Sequence, residues 1–456
     1  MAKTRTAFFC RECGNETPRW QGQCPACQEW NTLVEEPSAP RKKAAAGASP
    51  VRLANDAVPV RLRDVEGTER RRWTTGLGEL DFVLGGGIVP GSVVLVGGEP
   101  GIGKSTILLQ VAARLESSSL RTLYVSGEES AHQVKLRAER LGGDAAEVTL
   151  LAETELDAIL LRAAELGPEV LLIDSIQTVY TPGLDGAPGN VGQVRECAAR
   201  LQRFAKQTGT AVFLVGHVTR DGGIAGPKTL EHIVDTVLYF EGEGGVDHRV
   251  LRATKNRFGG VDEIGVFRMT AEGLVPVPNP SELFLGDRSI RGSGSAVVST
   301  MEGTRPLLVE VQALATRASY GAPQRVSTGF DHKRLALLLA VLEKRAGIPF
   351  GQLDVFLNVV GGLKLVETAG DLAVAVALAS SVYDRAVPVD AVFVGELGLG
   401  GEVRPVGQVE RRLAEAARMG FTAAYLAPRA APRTPPAGIR VIETDDVRSL
   451  VQRVFT

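Results

Sequence analysis

The chain has 456 residues and a formal net charge of −2, with 44% of its residues apolar and 23% charged. That length suggests two or three domains with room for buried cores, and the near-neutral charge excludes a global positive field holding the chain on nucleic acid. The opening "MAKTRTAFFCREC" has no apolar core followed by a cleavage-like site, and no apolar run reaches the ~20 residues of a membrane helix, so a cytoplasmic protein without membrane contact is expected.

Four of the five cysteines lie in the first 27 residues. Disulfides do not persist in a reducing cytosol, so metal or redox chemistry leads. Cys10, Cys13, Cys24 and Cys27 form a CxxC–x10–CxxC array. Two such knuckles supply four thiolates to a closed tetrahedral Zn²⁺ site. Redox dithiols would need a thioredoxin-like βαβ context, which this segment lacks. A zinc finger is expected over 1–34, its folding driven largely by the metal. "EEPSAPRKKAAAGASP" then reads as a linker over 35–59.

From 60 to 278, short apolar runs alternate with amphipathic stretches. "SVVLVGG", "RTLYVSG", "EVLLIDS" and "TAVFLVGH" predict buried parallel strands. "STILLQVAARLESS" and "AHQVKLRAERLGG" predict helices between them. The fold class expected is α/β, a mostly parallel sheet with helices on both faces. Cys197, in a helical stretch, reads as an ordinary buried thiol.

"GGEPGIGKST" holds the full P-loop pattern, Gly98 to Ser105, between a predicted strand and a predicted helix. The residues expected to cradle phosphates are Gly98, Glu99, Pro100, Gly101, Ile102, Gly103, Lys104, Ser105 and Thr106. Lys104 bridges the β/γ oxygens and Ser105 holds Mg²⁺. No Asn-Lys-x-Asp motif selects guanine, so ATP is the expected nucleotide. "VLLID" carries Asp174 to a strand end beside the P-loop, as a water-mediated Mg²⁺ ligand or a helix cap. "LYVSG" delivers Glu128 and Glu129, of which Glu128 comes sooner off the strand and is preferred as base. Ser130 is placed to cap the next helix. His217, after "FLVG", either senses the γ-phosphate or is structural. Two glycine-rich loops, 181–193 and 220–229, leave this edge, and the second carries Arg220 and Lys228 as phosphate contacts for DNA.

"HRVLRA" alternates like a strand and predicts a loop at "TKNRFGG". Lys255 and Arg257 there form either a solvated strand edge or a phosphate contact. After a punctuated stretch near 276–293, a second α/β region is expected over 285–456, with strands "AVVSTM", "RPLLVEVQAL", "DVFLNVV" and "AVFVGEL".

Taken together, these motifs resemble the bacterial RadA (Sms) family of DNA repair proteins over essentially the whole chain. The cysteine segment with Trp20, Gly22 and Trp30, "GGEPGIGKST" and "ATKNRFG" carry the resemblance. It implies a RecA-like ATPase core, a hexameric ring, and a DnaB-like motor on single-stranded DNA. It also implies recombinational repair and branch migration alongside RecA recombinase. In such a ring, Arg257 is expected to act as an arginine finger on the neighbour's γ-phosphate, with Lys255 in support. The region 285–456 is similar to the peptidase domain of Lon proteases. Ala369 falls where that family's serine stands and Glu410 where its lysine stands, so a non-proteolytic scaffold is expected. The competing expectations are a KaiC-like regulatory ring ATPase and, disfavoured by Ala369 and Glu410, an ATP-dependent protease.

Overall fold

The computed structural model describes residues 5–10, 16–25, 28–38, 61, 72–216, 230–242, 247–286, 292–318 and 322–456. Cys13, Cys27, most of the expected linker, His217, Arg220 and Lys228 lie outside the described residues. The chain divides into two compact units, one reaching Pro276 and the other beginning at Val277 apart from a short excursion.

At the start, β1 (Arg5–Cys10), β2 (Glu16–Thr17) and β3 (Leu33–Ser38) form an antiparallel sheet in the order β2-β1-β3. β3 runs past the expected finger boundary, because Pro37 and Ser38 still pair with Thr6 and Arg5.

Next come β4 (Val93–Gly98), β5 (Thr122–Ser126), β6 (Thr149–Ala152), β7 (Val170–Asp174), β8 (Ala211–Val215), β9 (Thr236–Glu241), β10 (His248–Asn256), β11 (Ile264–Thr270) and β12 (Gly273–Pro276). They make one nine-stranded sheet in the order β12-β11-β10-β9-β4-β8-β7-β5-β6. From β9 to β6 every pairing is parallel, and β10 to β12 add an antiparallel extension.

Successive strand residues point to opposite faces, and each face has its own core. Val94, Val96, Tyr124, Leu172 and Phe213 pack with α1 (Gly78–Val83), α2 (Lys104–Ser117) and α3 (Ala131–Leu141). Val93, Leu95, Leu123, Leu171 and Val212 pack with α4 (Leu156–Leu166) and α5 (Val191–Thr208). Ile107, Leu108, Val111 and Leu115 recur at helical spacing and bury one side of α2. α3 starts in a capping box, with Ser130 and Gln133 bonding each other's backbone. α4 and α5 end at Gly167 and Gly209, both left-handed. Cys197 is fully buried on α5, its thiol donating to Val179 O at 3.7 Å and pushed up to about 11 by burial.

The second unit contains β13 (Ser295–Glu302), β14 (Arg305–Arg317), β15 (Arg325–Thr328), α6 (His332–Val341), β16 (Leu353–Val359), α7 (Asp371–Tyr383), β17 (Ala391–Phe393), β18 (Glu396–Leu397), β19 (Val403–Arg404), α8 (Val409–Arg418), β20 (Ala423–Leu426), β21 (Arg440–Glu443) and α9 (Val447–Phe455). A mixed seven-stranded sheet has the order β15-β16-β14-β13-β17-β20-β21. α7 is buried from Asp371 to Ser380, as its "LAVAVALA" composition dictates.

Two ion pairs tie this unit together. Arg334 forks onto the fully buried Asp371, which also accepts from Leu397 N. Arg412, 3% exposed, grips Glu367 with bonds of 2.7 and 2.6 Å and donates to Ser299 O and Gly407 O. Glu367 also accepts from Thr300 Oγ1 and Met301 N, both at 2.7 Å. Burial pushes this carboxyl up, but the Arg412 bonds and charge, with these other donors, hold it below its ordinary value. Ala369 is buried in the core beside this pair, while Glu410 is exposed in the first turn of α8.

Arg412→Met should lower the stability of this unit by roughly 3 kcal/mol, because it strands a half-buried carboxylate. Combining it with Glu367→Leu should restore part of the loss. A depressed carboxyl stabilises the fold above its unfolded value and loses that contribution as pH falls through the folded one. The single variant's deficit in a thermal melt should therefore be largest at neutral pH, where Glu367 is ionised, and shrink as acid protonates it. Equal melting of parent and single variant at pH 7 would refute this.

Candidate active site

β4 ends in the P-loop, and the loop's backbone requires its glycines. Gly98, Gly101 and Gly103 have φ of +149°, +75° and +117°, a region that favours glycine. A Cβ on Gly103 would also stand 2.9 Å from Met269 Cε. α2 begins at Lys104 with no side chain capping its first turn, so Ser105 and Thr106 open a helix whose leading amides suit an anion. Lys104 is 3% exposed, and its Nζ donates to Gly98 O and Glu99 O, both at 2.9 Å. Burial lowers it to about 8, against the pull of Asp174 and Glu128.

Asp174 ends β7, but β8 lies between β7 and the P-loop strand. Asp174 thus ends a strand two places from the P-loop strand, on the same edge of the sheet and roughly 10 Å away at the usual spacing. Asp174 Oδ2 accepts from the phenol of Tyr124 at 2.5 Å, and the Asp174–Ser175 peptide is cis. Glu128, just past β5, accepts from Ser175 Oγ, whereas Glu129 forms an ion pair with Arg137 on α3. The adjacent glutamates thus have different partners, Glu128 on Ser175 and Glu129 on α3. Gly127 permits this turn, since a Cβ there would fall 2.1 Å from Thr178 Oγ1. The oxygen donors Ser105 and Asp174 and the cation Lys104 in its loop match the chemistry of Mg²⁺ and a nucleotide phosphate.

Sequence reasoning did not single out Tyr124 or Ser175. The signal was present in a phenol set among "TLYVS" apolar residues and a hydroxyl directly after Asp174.

The "KNRFGG" stretch differs from the loop expected. β10 continues to Asn256, with a bulge between Ala253 and Lys255 that shifts the register against β9. Lys255 is therefore a strand residue, and its Nζ donates to Glu231 O and Val234 O. Asn256 folds the turn, donating to Val83 O and accepting from Phe258 N and Thr236 Oγ1. A Cβ on Gly259 would meet Gly85 Cα at 2.8 Å. Arg257 alone of the motif's cations projects, 53% of its side chain exposed, with Nη1 3.2 Å from Asp235 Oδ1.

The loop expected over 181–193 ends sooner, because α5 begins at Val191 with Asn190 as its cap. Gln193 is 1% exposed and pins the loop, accepting from Thr181 N and donating to Thr181 O and Leu184 O. Arg220, Lys228 and His217 fall outside the described residues.

At the N-terminus, Cys10 and Cys24 are 0% and 1% exposed and share a small core with Leu33 and Phe8. Gln28 N donates to Cys24 O at 2.9 Å, closing a tight turn, and the Cys10 thiol meets Thr32 Oγ1 at 3.2 Å. Buried thiols at the strand end and in this turn suit a soft cation such as Zn²⁺.

Comparison with known proteins gives matches to two segments and to the whole chain. The family model described as an AAA domain matches residues 60–223, and one described as a rubredoxin metal binding domain matches 8–35. A crystal structure of a KaiC-like protein from Pyrococcus horikoshii OT3 is similar over 46% of this chain and 99% of that one, at 21% identity and a TM-score of 0.39. The protein named DNA repair protein RadA in Bacillus subtilis (strain 168) is 50% identical over 450 residues, 98% of each chain. That of Pseudomonas aeruginosa is 50% identical over 457 residues, covering 100% of both chains. That of Halalkalibacterium halodurans is 52% identical over 422 residues, 92% of each. With half its residues shared along its whole length, and with a P-loop edge and a cysteine-bearing ribbon at the matching segments, this chain belongs to the RadA family of DNA repair proteins.

Proposed function

We propose that this chain is an ATP-hydrolysing, DnaB-like motor on single-stranded and branched DNA, working as a hexameric ring with RecA recombinase in recombinational repair and branch migration. The observation that carries the ATPase reading is the P-loop, whose buried Lys104 is held by Gly98 O and Glu99 O at the sheet edge where β5 and β7 also end. Membership of a DNA repair family supports the substrate. Lys104 and the P-loop hold the phosphates, Ser105 and Asp174 hold Mg²⁺, and Glu128 orients the attacking water. His217 senses the γ-phosphate. The loops at 181–190 and 220–229 contact DNA, the second through Arg220 and Lys228. The unit after Val277 serves as a scaffold without peptidase chemistry, since Ala369 offers no nucleophile. The four cysteines hold one Zn²⁺.

ATP turnover measured with and without single-stranded DNA tests this reading. Stimulation by DNA that weakens as salt rises is expected for a motor with phosphate contacts. DNA-independent turnover would favour a KaiC-like regulatory ring instead.

Removing zinc should affect the ribbon alone. Cys24→Ala protein purified without chelator should lose the metal found in the parent by elemental analysis, yet keep the parent's oligomer in sedimentation. Zinc-free parent protein would end the assignment of these cysteines.

Arg257 is the arginine finger in this proposal, reaching the γ-phosphate of the next subunit, with Lys255 supporting it from the strand. Such fingers contribute roughly 10³–10⁵ in rate. Lys104→Ala and Arg257→Ala should each abolish most turnover as pure rings. Mixed rings should regain some, at interfaces that pair an intact P-loop with an intact finger. Mixed rings that assemble and stay inactive would place Arg257 with its own subunit's nucleotide or with DNA.

A further inference from the structure

The two carboxylates of the catalytic edge are held by hydroxyls that each come from the other's strand. β5 leads to Glu128 and carries Tyr124, which bonds Asp174. β7 ends in Asp174 and is followed by Ser175, which bonds Glu128. The parallel register sets this exchange, with Ser126 opposite Asp174 and Tyr124 opposite Leu172.

Tyr124 is 0% exposed and Asp174 7% exposed, so the bond between them is shielded from water. A phenylalanine would fill the same apolar space without a polar group to bury. A phenol placed there incurs a desolvation cost unless its hydrogen bond is made. Its bond also consumes one defined oxygen, Oδ2, and so fixes the rotation of a carboxylate that has two.

We propose that Tyr124 is a positioning residue for Mg²⁺. By holding Oδ2 at 2.5 Å, it presents Oδ1 of Asp174 to the hydrated cation in one orientation. The inference rests on the reading of Asp174 as the magnesium carboxylate, and it adds the group that orients it. Partners that orient a metal-binding carboxylate typically contribute 10–100-fold in metal affinity.

The test uses the full-length protein as Tyr124→Phe, Asp174→Asn and the double variant. Binding of a fluorescent ATP analogue is measured in EDTA and across a Mg²⁺ titration, with turnover followed in parallel. Tyr124→Phe should bind the analogue in EDTA as the parent does, which also shows that it folds. Its half-saturating Mg²⁺ should rise about tenfold, and turnover lost at low Mg²⁺ should return at high Mg²⁺. Asp174→Asn should flatten the Mg²⁺ response, and the double variant should be no worse than Asp174→Asn alone. A parental Mg²⁺ curve for Tyr124→Phe, beside a flattened one for Asp174→Asn, would overturn the role of Tyr124 and leave Asp174 as the ligand. Additive losses in the double variant would do the same. An unchanged curve for Asp174→Asn would overturn the magnesium assignment itself, and the inference with it.

Discussion

Parallel pairing through β4, β8, β7 and β5 is the constraint on which the candidate active site depends. Because these strands run the same way, their C-terminal ends fall on one edge of the sheet. The P-loop, Asp174 and Glu128 are therefore neighbours in space although far apart in sequence. Both faces of the sheet are covered, so the strands have to be apolar throughout, and polar chemistry is pushed to their ends. Lys104 shows the consequence. Its ammonium is nearly out of solvent and is held by two loop carbonyls, with both carboxylates nearby. A phosphate entering the loop offers this cation oxygens that carry full charge, and binding can exchange weak partners for strong ones.

The antiparallel extension gives the sheet a second kind of edge. β10 carries a motif in which most residues serve the fold. Asn256 closes the turn, Gly259 lets it approach Gly85, and Lys255 props the backbone of Glu231 and Val234. A substitution at any of these would disturb the strand end before it touched chemistry. Arg257 differs, because its side chain is half in solvent, with Nη1 on Asp235 Oδ1 while its backbone N donates to Asp235 O. Asp235 is buried and also accepts from Val93 N at 3.0 Å, so its carboxylate keeps a partner when the guanidinium swings away. That combination, a rigid base and a loosely held tip, is what a group reaching toward a phosphate requires.

Much of this was legible in the sequence, for reasons that can be named. The P-loop needs glycines at fixed spacing, and buried parallel strands need continuous apolar runs, so both leave local signals. Ser130 announced a helix start by its own chemistry. What the sequence hid was order in space. Nothing local in "AVFLV" says that β8 inserts between β7 and the P-loop strand, because parallel neighbours are chosen by packing and not by adjacency in the chain. The bulge that keeps Lys255 in its strand is likewise a matter of register with β9. The partners of Asp174 and Glu128 come from across the sheet, and a linear reading has no means of pairing Tyr124 with a residue fifty positions later.

The second unit shows the same separation between fold and chemistry from the opposite side. Its two segments flanking Ala369 and Glu410 are joined by the Glu367–Arg412 pair, two residues before one position and two after the other. The guanidinium and carboxylate satisfy each other bidentately and take up nearby backbone groups as well, which leaves the pair little freedom for proton transfer. Here the meeting point of the two segments is occupied by charges that are spent on each other. Ala369 adds a methyl group to the core of this unit. The closed pair ties the segment before α7 to α8 and, through Ser299 O, to β13.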